Sequence, residues 1–199
     1  PSDASAYPSY IEATKALVAK RFTQCKFITN ERRVCFSTGL RRAMEHVKTP
    51  FVFVVEDDVC PMLTIPLLQA EAALASGKVD AITMSAYTHH TINSYWTSNA
   101  KRMGLLPLPD CLPETHCGLT LLPAMSYGNN NTLATTKWYK NHVLPRSPDH
   151  SFPELDLKFE PLRARKGIIP QQGWSMFLLS QPTGYTPTSE HLDARTFSG

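Results

Sequence analysis

Long apolar runs are missing from this chain of 199 residues. No stretch approaches the roughly 20 residues that cross a bilayer, so no membrane span is expected within it. The opening residues lack the pattern of a secretory leader, and they do not read as a natural start. Cysteine is sparse and odd in number, five in all. Cys25, Cys35, Cys60, Cys111 and Cys117 do not form the C-x-x-C pairs of a zinc site. Cys111 and Cys117 bracket a short loop and can bridge in an oxidising compartment; free buried thiols are the plainer expectation. Charge of one sign is also lacking. The net charge is +3, from 20 basic and 17 acidic side chains. The basic residues are scattered apart from Arg163-Ala164-Arg165-Lys166, a pattern that speaks against a nucleic-acid partner. No Gly-rich, basic phosphate loop lies near the start, which counts against a nucleotidyltransferase.

What remains is the composition of an ordinary soluble globular protein, 42% hydrophobic and 19% charged, in one domain's length of chain. Its most informative stretch is Thr49-Pro50-Phe51-Val52-Phe53-Val54-Val55-Glu56-Asp57-Asp58-Val59. The apolar run predicts a central strand buried on both faces. It stops at three consecutive carboxylates. Ligands of open α/β sheets bind just beyond the carboxyl ends of the strands. Acids gathered there suit Mg²⁺, Mn²⁺ or Ca²⁺, which favour oxygen donors. A solvated turn or a helix cap is the simpler alternative.

Along the chain, helical spacing predicts helices over Tyr10–Phe22, Ser37–Val47 (capped by Ser37 or Thr38) and Thr64–Ala75. The last has Thr64 as its cap, Pro66 in its first turn and Gly77 at its end. Strands are predicted at Cys25–Thr29, at the apolar run and over Val79–Tyr87. That alternation of helix and strand is the mark of right-handed winding into a parallel sheet. His89 and His90 read as surface loop. Short strands around Tyr95-Trp96 and Gly118–Leu122 suggest an antiparallel extension. Ile168-Ile169-Pro170 suggests an edge strand, and Trp174–Leu179 another apolar element.

The helix segment Gly39–Pro50, followed by a strand ending in Glu56-Asp57-Asp58, resembles the GT-A fold glycosyltransferases, most closely their family-2-like group. The resemblance implies an α/β, Rossmann-like domain over 1–199, with a mixed, mainly parallel sheet flanked by helices. Such domains usually open with a strand before the first helix; none is seen here, which suggests a fragment. By position, Asp58 would hold Mn²⁺ or Mg²⁺ on the donor diphosphate. Asp57 is a second candidate ligand, and Glu56, where the family has Asp, would lie near the ribose. Tyr127–Tyr139 resembles the polar loop and helix that border donor sugar and acceptor; a polar turn capping a helix at Thr135 or Thr136 explains the same residues. Phe152–Glu160 resembles the family's region carrying the general base. Glu154 is the implied base, Asp156 and Glu160 are alternatives, and Leu155 interrupts the family's adjacent acid pair. His191 would complete the metal site and Arg195 would pair with the diphosphate. The implied activity is metal-dependent, inverting transfer of a sugar from a nucleotide-sugar donor to a hydroxyl of a glycan, lipid or protein. A nucleotide-sugar-binding or scaffold domain without catalysis is the alternative.

Overall fold

The computed structural model describes residues 7–22, 24–30, 34–55, 59–61, 65–84, 94–110, 112–128, 131–149, 151–179 and 189–191, with backbone only at 7, 59–61, 94–97, 154 and 189–191. The chain divides into two compact units, 1–34 and 35–199. The first holds helix α1 (Tyr7–Arg21), with Lys20 and Arg21 in its last turn, where cations favour the helix dipole. Among its described residues none is buried, and the strand expected at Cys25–Thr29 is irregular exposed chain.

The second unit is built on a six-stranded sheet in the order β1-β6-β3-β7-β5-β4. The strands are β1 (Phe51–Val54), β3 (Ala81–Thr83), β4 (Glu114–His116), β5 (Leu119–Pro123), β6 (Thr132–Thr135) and β7 (Met176–Leu179). A separate ladder joins β2 (Val59–Pro61) to β8 (Ser189–His191). The sheet is not mainly parallel as expected: β3–β7 is its one parallel pair among the described strands. The cause is β6, whose residues read as a polar loop. It lies between β1 and β3 and runs against both. β1, β3 and β7 do share one direction, so the helix–strand alternation was informative about direction and silent about adjacency. For the same reason β1 is not central. It is the outermost strand of the order and only half-buried.

Side chains alternate across the sheet with period two. Val52, Val54, Ala81, Ala134, Met176 and Leu178 face one cluster, with Leu40 and Met44 of helix α2 (Phe36–His46), Trp138, Tyr139 and Leu157. Phe51, Phe53, Ile82, Leu133, Phe177 and Leu179 face the other, with Ala70, Ala73 and Leu74 of α3 (Leu67–Ala75). The sheet is therefore sandwiched, which explains why β7 can be apolar at every position. Helix α4 (Ser94–Arg102) occupies the Tyr95-Trp96 segment expected as a strand. The Ile168 segment is likewise not an edge strand. It closes α7 (Glu160–Arg165): the Gly167 and Ile168 N–H groups return to the Ala164 and Arg163 carbonyls at 2.9 Å each, with Gly167 at φ +69°. Helix α3 begins at Leu67 with Pro66 as its cap; Thr64 lies outside the described residues, as do His89 and His90. Cys25 and Cys117 are free and exposed and Cys35 is free and half-buried, so these thiols are not the buried ones expected.

Candidate functional site

The acid triplet 56–58 and Arg195 lie outside the described residues, but the flanking backbone locates where the chain enters and leaves the triplet. β1 delivers Val55 to the edge of the sheet where β3 also ends. There Val54 pairs with Thr132, and Thr132 with Thr83. The Thr83 hydroxyl meets that of Thr132 at 3.0 Å, and Thr132 Oγ1 donates to the Gly128 carbonyl at 3.1 Å. The Met84 N–H donates to the carbonyl of buried Asn131 at 3.0 Å, with Asn131 at φ +44°. Gly128 is thus tied to the first residue of β6 and Asn131 to the residue that follows β3. On the far side of the triplet, β2 starts at Val59, whose register partner in β8 is His191. The backbone therefore sets His191 across from the residue next after Asp58.

Glu154 and Asp156 belong to α6 (Pro153–Asp156), a single turn with Pro at its start. Beyond α6 the Lys158 carbonyl accepts the Tyr127 N–H at 3.0 Å, just before Gly128. Before it, the loop 147–151 is tied to α2. Ser37 Oγ donates toward the Ser151 and Pro148 carbonyls (2.7 and 2.9 Å), and the Ser151 N–H donates back to Ser37 Oγ at 3.2 Å. Arg41 Nη2 donates to the Leu144 and Ser147 carbonyls at 3.0 and 2.9 Å, while its Nε meets Asp149 Oδ1 at 3.1 Å. These ties join α6 both to the Gly128–Asn131 loop and to the start of the helix that feeds β1. Asp156 Oδ2 itself accepts hydrogen bonds from Ser151 Oγ and from Ser147 Oγ, the latter at 3.2 Å. Glu160 is paired with Arg163 at 2.6 Å. Ser37, expected as a helix cap, lies inside α2, which Cys35 precedes as the capping residue; its ties, like those of Arg41, Ser147 and Ser151, carried no signal in the sequence, because their partners are remote in the chain or are backbone carbonyls.

A second polar group lies at the opposite edge, where β3 and β7 begin. Asp80 Oδ2 accepts the Ser175 N–H at 2.9 Å, and the Asp80 N–H donates to the Ser175 carbonyl at 2.9 Å. Burial pushes the Asp80 carboxyl up, against the lowering effects of the Ser175 hydrogen bond and His142. His142 sits in a π-turn (Tyr139–Val143) that continues α5 (Thr136–Trp138) and leads into a 3₁₀ turn, Leu144–Arg146. Burial and then the Arg146 charge hold His142 below the ordinary imidazole value, with Asp80 opposing. This pair lies at the start of β3, at the other end of the strand from Met84. Among the described residues no three His, Cys, Asp or Glu side chains converge as a metal centre, and no helix is long and apolar enough to cross a membrane.

No family model, curated protein or solved structure matches this chain.

Proposed function

We propose that this chain is a glycosyltransferase domain of the GT-A type, moving a sugar from a nucleotide-sugar donor to an acceptor hydroxyl with inversion. The observation that carries it is the β2–β8 register, which brings His191 across from Val59, next to Asp58 in the chain. Carboxylates and an imidazole drawn from distant parts of the sequence suit Mn²⁺ or Mg²⁺. Asp58 and His191 would hold that ion, with Asp57 beside them, and when bound it would supply positive charge at the departing diphosphate. Arg195 would add a bidentate donor to the same phosphates, and Glu56 would approach the ribose. At the acceptor, Glu154 takes the proton as the hydroxyl oxygen bonds to the anomeric carbon and the bond from that carbon to the diphosphate oxygen breaks. The nucleoside diphosphate leaves on the face opposite the attack.

The ties from α6 to the Gly128–Asn131 loop and to α2 support a base and a donor site at one edge of the sheet. Calorimetric titration of UDP, GDP and CMP, each with and without Mn²⁺, tests the donor site on the unaltered protein and on Asp58→Ala. Metal-dependent binding of one nucleotide, lost in the variant, is expected. If none of the three binds with Mn²⁺ present, the donor site is wrong. Binding without transfer would instead favour a nucleotide-sugar-binding domain, which the interruption of the acid pair by Leu155 also favours.

A further inference from the structure

We propose that Asp156 is a positioning residue and not a base: it clamps the loop 147–151 to α6 and so fixes the turn that carries Glu154. This rests on the glycosyltransferase reading of the site.

Helix α6 spans four residues, and its capping residue Phe152 makes no side-chain cap bond. One isolated turn is far too short to hold its own conformation, because nucleation costs more than a single turn returns. Its geometry must come from tertiary ties. Pro153 and Leu157 are buried at its two ends, and the Leu157 N–H closes on the Pro153 carbonyl at 2.9 Å. A further tie among the described residues is Asp156. One of its oxygens accepts both the Ser151 and the Ser147 hydroxyls, and Ser147 is fully buried. Those hydroxyls belong to a loop whose carbonyls at 147, 148 and 151 are held by Arg41 and Ser37 of α2, with Arg41 also holding the Leu144 carbonyl just before it. A continuous path therefore runs from α2, the helix preceding β1 and the acid triplet, through the serine hydroxyls and Asp156 to the backbone of Glu154. Asp156 links the acceptor side to the donor side through Oδ2, which both serine hydroxyls engage. Glu160 is committed to Arg163 in the same way. Glu154 is the base in the proposed reading, and the clamp sets the backbone turn on which it stands.

The clamp requires only an acceptor oxygen, so Asp156→Asn should work nearly as well as Asp156. Asp156→Ala and the double variant Ser147→Ala/Ser151→Ala remove the tie from either side. Transfer kinetics of these variants, with Glu154→Gln as reference, are measured as a function of pH on the whole chain. Amide hydrogen exchange over 147–157 is followed in parallel. Asp156→Asn should keep kcat within about threefold. Asp156→Ala and the double serine variant should each lose about 10- to 100-fold in kcat, the scale of an ångström-sized misplacement. Their pH profile should keep its shape and their metal-dependent nucleotide affinity should not change. Exchange over 147–157 should rise in both and stay low in Asp156→Asn. If Asp156→Asn is as inactive as Glu154→Gln, or loses the acidic limb of the pH profile, Asp156 is the base and the clamp is wrong. Unchanged exchange in Asp156→Ala and in the serine variant overturns the clamp whatever the activity. An unaltered protein that binds nucleotide with Mn²⁺ yet transfers nothing overturns the transferase reading and Glu154's role with it, while the exchange arm still separates clamp from no clamp.

Discussion

Gly173 is where single-atom arguments are sharpest. Its φ is +86°, and a Cβ built there would lie 2.3 Å from His142 Cε1 and Nδ1. Its carbonyl also accepts the Trp138 indole N–H at 2.6 Å, so the backbone cannot easily swing away. Gly173→Ala should cost about 2–4 kcal/mol, combining left-handed backbone strain with overpacking. Urea unfolding of Gly173→Ala, His142→Ala and the double variant checks this. Removing the imidazole should recover the overpacking part and leave the backbone part, a coupling that a double-mutant cycle isolates. The same histidine sets a pH response. Among the described residues its buried Nδ1 has no hydrogen-bond partner, and its proton affinity in the folded state is lowered, chiefly by burial. The unfolded chain thus binds the proton more readily. The contribution of neutral His142 is complete above the unfolded value of about 6.5 and is lost as pH falls below it toward the folded value. The stability difference between the protein and His142→Gln should shrink from pH 7.5 to pH 5.5. A difference that stays constant across that range would refute the assignment. Asp80 shifts in the opposite sense, and His142→Gln also removes the charge that lowers it.

At the scale of elements, the loop beside the acid triplet hangs on two threonines. The Thr132 hydroxyl gives its proton to the Gly128 carbonyl, so Thr83 must be the donor in the pair they share. Thr132→Val removes both bonds and leaves the buried Thr83 hydroxyl unpaired, which should cost about 1–3 kcal/mol. Thr83→Val leaves Thr132 donating and should cost less. The double variant should cost less than Thr132→Val alone, since it removes the Thr83 hydroxyl that the single change leaves unpaired. Thermal or urea unfolding of the three ranks these outcomes. Thr135 was a foreseeable cap. Its side chain accepts the Trp138 N–H at 3.1 Å, and Thr-Thr-Lys-Trp-Tyr carries a helix-start pattern in the chain itself. β6 was not foreseeable, because Thr132-Leu133-Ala134-Thr135 has little strand character until β1 and β3 flank it with free backbone groups. The Tyr95-Trp96 segment misled in the opposite way: aromatic residues favour strands, yet Ser94–Arg102 closes as a helix that sends Ala100 into a small core with Leu105, Met125 and Leu162.

Across the whole molecule, every residue of the three buried clusters lies beyond position 35. None of the described residues of the first unit, 1–34, is among them. A 15-residue helix is marginal in water without such packing. Deletion of residues 1–34 should leave the cooperative melt of the remaining chain within a few degrees, since none of the deleted residues that are described is buried. A collapse of the transition would show that the first unit carries more of the core than its burial implies. Legible in the amino-acid order alone were the segments apolar on two faces, the alternation of α2, β1, α3 and β3, and the carboxylate triplet after the most hydrophobic strand. Those properties are local: they depend on side-chain period and on the identity of immediate chain neighbours. Folding in three dimensions was needed to insert β6 between β1 and β3, to put β1 at the margin of the sheet, to bring His191 opposite Val59, and to engage Asp156 with Ser147 and Ser151. Each of these is a pairing between groups of which at least one would be equally content with water, so no period or propensity in the chain announces it. The partner appears only when the backbone has folded.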